Sequence, residues 1–299
     1  MASSVLLPQV ENLPFGARLN RWAARWSLGG IEPYILHPPT VARLPLERGL
    51  AGSIEVSLHR IRLAGLPDSF RGFRIVQVSD IHHGLYFPLR AVAEAIELAN
   101  SLDADLVALT GDFVTYSRAY IEPVAALLGQ LRARYGLYAV LGNHDFRVGA
   151  DELERGLRHQ GIEVLRNRNT TLYRRGESVC LAGVDDYGYG ADVDRALQGV
   201  SPDAPTILLA HNPRLVPAAA RHGVGLVLSG HTHGGQVHLP VVGNVYGRRP
   251  DQLRFKRGWG KLGATQVYVS RGVGTVVLPF RLNCPAEIPH LELQPELAA

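Results

Sequence analysis

Five short apolar runs in this chain each stop at residues that can bind a metal, and that repeated ending constrains the fold more than any other feature of the sequence. The run 73–79 stops at Asp80-Ile81-His82, 105–110 at Gly111-Asp112, and 136–141 at Gly142-Asn143-His144-Asp145. The run 206–210 stops at His211-Asn212-Pro213, and 224–229 at Gly230-His231-Thr232-His233. Each is β-branched or Leu-rich and is bounded by turn residues, the pattern of a buried strand. Open α/β sheets gather ligands at the carboxyl ends of their strands. Histidines at i and i+2 beside glycine can turn both imidazoles toward one place, because glycine lets the backbone bend sharply. Taken alone, His231 and His233 read equally well as solvated loop residues. Five such ends together read as one site.

The segments between these runs support that placement. Helices are predicted over 88–102, 121–135 and 151–160, so strands and helices alternate through the first half. Short strands near Glu163, Leu172 and Val179 follow, then a short helix over 191–198, a helix over 213–221, and strands over 236–240, 266–270 and 290–293. The run 54–63 alternates with one slip and reads as a half-exposed strand with a bulge. Helices early and strands late fit two packed sheets flanked by helices, as one domain over 51–299. Residues 1–50 form a Pro-rich, irregular N-terminal segment.

With 46% hydrophobic and 19% charged residues, the 299-residue chain is an ordinary globular protein rather than a disordered one. A net charge of +4 suits a phosphate-bearing substrate or an anionic surface without implying nucleic acid. Two cysteines make no disulfide framework, and Cys180 lies in an apolar run as a small core residue. There is no run of about 18 apolar residues and no basic-then-apolar leader, so the expected location is the cytoplasm.

Asp80, His82, Asp112, Asn143, His211, His231 and His233 offer seven ligands, more than one tetrahedral zinc uses. Seven mixed oxygen and nitrogen ligands with one shared carboxylate fit two divalent ions, a pair that clamps a phosphoryl oxygen and acidifies a bridging water. The mixture favours Mn, Fe, Co, Ni or Zn over calcium or magnesium, without choosing among them. His144, beside Asn143, stands on the substrate side, able to stabilise phosphoryl oxygens or protonate a leaving alkoxide. Asp145 either holds that imidazole in one tautomer or caps a turn.

Asp-x-His, Gly-Asp, Gly-Asn-His-Asp, a lone His and Gly-His-x-His occur here in the order found in the calcineurin-like metallophosphoesterase superfamily, which the chain resembles. The longer forms at 79–84, 229–236 and 281–288 are similar to the bacterial YaeI/YkuE-type branch. The resemblance implies an αββα sandwich, one metal held by Asp80, His82, Asp112 and His233, and another by Asp112, Asn143, His211 and His231. It makes Asp112 the bridge and His144 the catalytic histidine. The implied activity is hydrolysis of a phosphodiester or pyrophosphate. A UDP-2,3-diacylglucosamine pyrophosphatase-like enzyme acting on a lipid-linked substrate is one alternative, and a non-catalytic metal-binding scaffold another. No nucleic-acid module is present, so a specific nucleic-acid partner is not expected.

Members of that branch often carry a membrane span or export signal ahead of the domain. Here residues 15–26 place Phe15, Leu19, Trp22 and Trp26 on one helical face and three arginines toward the other. Such a helix either contacts an anionic membrane peripherally, at its inner face, or packs its tryptophans on the body of the protein. The basic, aromatic stretch 248–259 reads as a lid or a solvated loop. Arg271 and Arg281 are candidate phosphate forks, and His83 is a residue that would face the substrate.

Overall fold

The computed structural model describes residues 54–239, 243–244 and 255–296. The expected helix over 15–26 and the boundary near residue 50 lie outside the described residues, as does 248–254 of the basic stretch.

One mixed sheet runs in the order β1 (Ile54–Leu63), β14 (Ala286–Pro295), β2 (Phe73–Val78), β3 (Leu106–Leu109), β4 (Leu137–Ala139), β5 (Ile162–Val164). The second runs β12 (Gly258–Leu262), β13 (Thr265–Val269), β9 (Leu226–Ser229), β8 (Thr206–Leu209), β7 (Glu177–Gly183), β6 (Arg168–Arg174). A small hairpin pairs β10 (His238–Leu239) with β11 (Gly243–Asn244). The strands β2 to β5 are parallel to one another, as are β7, β8, β9 and β13, so the ligand-bearing ends of each sheet point the same way.

Period-two alternation sorts the side chains into layers. Phe73, Ile75, Leu106 and Ala108 face inward and meet Leu181, Ile207, Leu209, Leu226 and Leu228 from the other sheet. Val76, Val78, Val107 and Leu109 face outward, beneath α1 (Leu89–Asn100), α2 (Ile121–Leu128) and α3 (Asn143–His159). On the far side, Ala182, Leu208, Val227 and Val267 pack against Val193 and Ala196 of α4 (Val193–Ala196) and Val216 and Ala219 of α5 (Val216–Arg221). Three apolar interfaces thus separate four layers, the αββα sandwich that the sequence implied. Each fully buried aliphatic side chain contributes about 1.5–3 kcal/mol by leaving water. No helix among the described residues is long and apolar enough to cross a membrane.

Four local expectations need correction. The strand β1 carries no bulge: it pairs with β14 at every position from Ile54↔Ala286 to Leu63↔Pro295. The helix expected over 121–135 stops at Leu128, where Gly129, a poor helix former, opens a turn against Gln160. The helix expected from residue 151 begins instead at Asn143 and is broken internally at Gly149. Within the stretch read as a lid or loop, Gly258 and Trp259 begin β12, an edge strand antiparallel to β13.

Candidate metal centre

All seven residues read as ligands lie at one end of the sandwich. Asp80 and His82 follow β2, Asp112 follows β3, and Asn143 opens α3 just after β4. His211 follows β8, and His231 and His233 follow β9. Five of them, Asp80, His82, Asp112, His231 and His233, hold left-handed backbone with φ between 50° and 70°. Non-glycine residues pay roughly 1–2 kcal/mol for that conformation. It aims each side chain across the strand ends, and such strain clusters at functional sites.

The ligand atoms converge closely. His82 Nε2 lies 2.9 Å from His233 Nε2, and Asp80 Oδ1 lies 3.4 Å from the same His233 atom. On the other side, His231 Nδ1 is 2.9 Å from Asn143 Oδ1 and 3.3 Å from His211 Nε2. Between the two sets stands Asp112, whose Oδ2 is 3.5 Å from His82 Nε2 and 3.2 Å from His211 Nε2. Asp80, His82 and His233 make one compact trio of possible metal ligands, Asp112, His211 and His231 a second, and His82, Asp112 and His144 a third. Carboxylate oxygens and imidazole nitrogens packed this way fit divalent first-row metals.

Surrounding groups fix those orientations. His211 Nδ1 donates to the Thr110 carbonyl at 2.7 Å, which leaves Nε2 toward Asp112. The His82 ring is held from behind by Thr115 Oγ1 at 2.6 Å. The Asp80 carboxylate accepts from Ser79 Oγ and from the His231 backbone N–H. Two glycines make room for the carboxylates: a Cβ at Gly230 would overlap Asp80 Oδ2, and one at Gly142 would overlap Asp112 Oδ1.

Asp145 does not hold His144. Its carboxylate accepts backbone N–H groups of Asp112, Phe113, Val114 and Gly142 at 2.8–3.1 Å. It therefore caps α3 and locks the Asp112 loop to it, the turn-capping role anticipated as the alternative. The half-buried His144 ring stands edge-on to His82 at 4.8 Å, and its backbone N–H donates to Asp112 Oδ1 at 2.8 Å.

Burial lowers the pKa values of His82, His144 and His233, and brings His231 down to about 3 with help from His211. His211 is different: burial disfavours its charge, but Asp112 outweighs burial and raises it to about 10. Burial, reinforced by Asp112, raises Asp80 to about 6. A metal bound through His211 would have to displace this proton at any pH below about 10, so its affinity is expected to rise with pH across the neutral range, by up to about tenfold per unit. Below about pH 6 the Asp80 proton steepens the dependence. Calorimetric titration of manganese at pH 7.5 in buffers of different ionisation enthalpy should show about one proton released per chain. Metal uptake without proton release would contradict this charge arrangement.

Several other residues read from the sequence have structural roles. His83 is buried against Tyr120, and its Nδ1 is bonded to the Phe87 carbonyl. Arg271 is paired with Glu287 and Glu55. Arg281 binds the carbonyls of Arg271, Gly272 and Gly274 and reaches the His233 carbonyl at 3.4 Å, stitching the loop after β13 to the loop after β9. Neither presents a free phosphate fork. Asp186, which the sequence reading passed over, is buried just beyond β7, and its Oδ2 has no hydrogen-bond partner among the described residues. The strand-end logic applied to the run 179–184 would have found it.

A model of calcineurin-like phosphoesterases matches residues 73–235, a span that contains all seven converging residues. A bovine (Bos taurus) transmembrane protein with metallophosphoesterase domain is 36% identical, over 81% of this chain and 56% of its own length. Its zebrafish (Danio rerio) counterpart is covered to 55%, so the chain spans about half of these vertebrate relatives. The uncharacterised metallophosphoesterase YkuE of Bacillus subtilis is 35% identical, over 79% of this chain and 84% of that protein. The phosphodiesterase YaeI of Escherichia coli is 32% identical, over 79% and 87%. With a family model across more than half of the sequence and relatives of this likeness over most of it, the chain belongs to the calcineurin-like phosphoesterase family.

Proposed function

We propose that the protein hydrolyses phosphodiester or pyrophosphate bonds with two divalent metal ions. The observation that carries this reading is the position of Asp112, grouped with His211 and His231 on one side and within 3.5 Å of His82, a member of the Asp80, His82 and His233 trio, on the other. Asp80, His82, Asp112 and His233 would hold one ion, and Asp112, Asn143, His211 and His231 the other. When bound, the pair supplies charge neutralisation at the phosphoryl oxygens and a water acidic enough to attack near neutral pH.

The chain's own residues supply the rest. Asp80 and Asp112 set the negative charge that offsets the cations. Thr110 and Thr115 hold His211 and His82 in place. His144 is kept neutral at pH 7 by burial, a state that bound cations would reinforce. A neutral imidazole donates a hydrogen bond more readily than a full proton, so His144 is best suited to stabilising a phosphoryl or leaving oxygen in the transition state. Incubation of purified protein with bis(p-nitrophenyl) phosphate and manganese should release p-nitrophenol, and chelation should stop it. Metal bound in stoichiometric amount without turnover of any ester would favour the scaffold reading instead.

For residues 15–26 we propose weak contact with an anionic membrane, supported by the Trp and Phe stripe opposite three arginines. Each arginine near such a surface contributes about 1 kcal/mol, so binding should be reversed by salt. Sedimentation with phosphatidylserine vesicles at low salt should carry the wild-type protein down and leave the Trp22→Ala, Trp26→Ala variant in solution, still folded. Wild-type protein that stays in solution would end this proposal.

A further inference from the structure

Two carboxylates follow β7 in succession, and their surroundings are opposite. Asp185 is paired with Arg166, whose Nε lies 3.0 Å from Oδ1 and whose Nη2 lies 3.2 Å from Oδ2. The third Arg166 nitrogen, Nη1, donates to Asp151 at 2.8 Å. Asp186 is buried more deeply, 2% exposed against 6%, and no salt bridge among the described residues involves it. Its Oδ1 accepts the Gly188 backbone N–H at 3.1 Å, while its Oδ2 has no partner among the described residues. A carboxylate taken out of water without a counter-charge is costly, and a buried polar atom left unpartnered marks a place where an ion or a water completes the bonding.

The strand register puts this residue beside the metal centre. β7 and β8 are parallel and paired up to Gly183↔Leu209, and the Val184 N–H continues the ladder to the Leu209 carbonyl at 3.2 Å. Neighbouring strands lie about 4.8 Å apart, so the residues after Val184 run alongside Ala210 and His211. The chain then turns: the Tyr189 N–H donates to the Asp186 carbonyl at 2.8 Å, and the Tyr189 ring stacks on Phe146, 4.8 Å between centres and 11° between planes. Phe146 stands in the first turn of α3, the turn that Asn143 opens. Asp186 is thereby held between the strand end that delivers His211 and the helix start that delivers Asn143.

The charge count favours that side. Asp80 belongs to the trio with His82 and His233. An ion held by His211 and His231 would have two imidazoles and the Asn143 amide, all neutral, and only a share of Asp112. Asp145, the other carboxylate of the ligand loops, is taken up by four backbone N–H groups. The His211 half is therefore short of negative charge, and Asp186 is the unpaired buried carboxylate beside it.

We propose that Asp186 is an outer carboxylate of the metal centre, supplying negative charge to the half built from Asp112, Asn143, His211 and His231 and offering Oδ2 to a hydrogen-bond donor that enters with the ion. The trios of ligand atoms that lie within 4.8 Å of one another do not include it, so Asp186 is a positioning residue and not a ligand. Such outer partners hold an ion in place through charge and hydrogen bonding, and their loss weakens binding without emptying the site. The assignment rests on the two-metal reading of the centre.

Asp186→Asn isolates the charge, because an asparagine oxygen can still accept the Gly188 N–H and keep the turn. Manganese is titrated by calorimetry into the chelator-stripped full chain. Wild type should show two binding events, and in Asp186→Asn one should weaken about 10- to 100-fold while the other changes by less than about threefold. In the His233→Ala background, where the His211 half remains, the same substitution should weaken the remaining event by the same factor. Thermal melts give a second readout. Without metal, Asp186→Asn should melt above wild type, since an unpaired buried charge is gone, and added manganese should raise its melting temperature less than that of wild type. Should the asparagine variant not fold, Asp186→Ser, which also accepts the Gly188 N–H, is titrated in its place. Asp185→Asn is the control for the loop: it should melt lower with and without metal and leave both binding events unchanged. Two wild-type events in Asp186→Asn, an unchanged remaining event in the His233→Ala background, or equal weakening by Asp185→Asn would overturn the assignment alone. A single event in wild type would overturn the two-metal reading, and the assignment with it.

Discussion

Asp112→Asn is expected to empty both halves of the metal centre and lower turnover on the order of 10³-fold or more. Asparagine keeps the shape and can still accept the His144 backbone N–H that Asp112 Oδ1 accepts now. It loses the negative charge that stands beside His82 on one side and His211 on the other. The Asp145 bonds to the backbone of the same loop do not involve the Asp112 side chain, so the loop should keep its place. His233→Ala is the matched control, because His233 belongs only to the trio with Asp80 and His82. It should weaken one site and leave the other partly occupied. Metal content after dialysis, together with circular dichroism to confirm folding, reads both outcomes. An Asp112→Asn protein that retains metal and activity would mean that this carboxylate is not shared.

His144→Ala should lower kcat by about 10²- to 10⁴-fold with metal content near that of wild type. The expectation is sharp because the His144 ring stands within ligand range of His82 and Asp112, so geometry alone admits a ligand role. A ligand would be missed in the metal analysis, and a group acting on substrate would be missed only in turnover. Loss of metal from the variant would move His144 into the ligand set. Unchanged kcat would remove it from catalysis altogether.

The convergence of the seven candidate residues was legible in the sequence because each follows a short apolar run, and parallel strands bring such ends together whatever lies between them. The four layers were legible for a related reason: 73–78, 106–109 and 206–209 are near-continuous apolar runs buried on both faces, which requires a covering layer on each side of the sheet. What could not be read depended on partners distant along the chain. Asp145 looked like a companion to its neighbour His144, but its bonds go to the loop 112–114, more than thirty residues away. Arg281 looked like a phosphate fork until the carbonyls of 271–274 were seen to surround it. The last strand was expected over 290–293. It starts at Ala286, because β1 pairs with it along its whole length whereas β2 joins only from His290 onward, a partner that the sequence pattern does not reveal. The start of α3 was missed because Gly142, an unremarkable cap in sequence, is closed by the Asp145 carboxylate.

Elemental analysis of fully active protein tests the central claim most directly. Protein stripped by chelator, reconstituted with increasing manganese and assayed at each step on bis(p-nitrophenyl) phosphate should reach full activity at two metal ions per chain, with little activity at one. Full activity at a single metal ion per chain would contradict a centre in which Asp112 joins two sites.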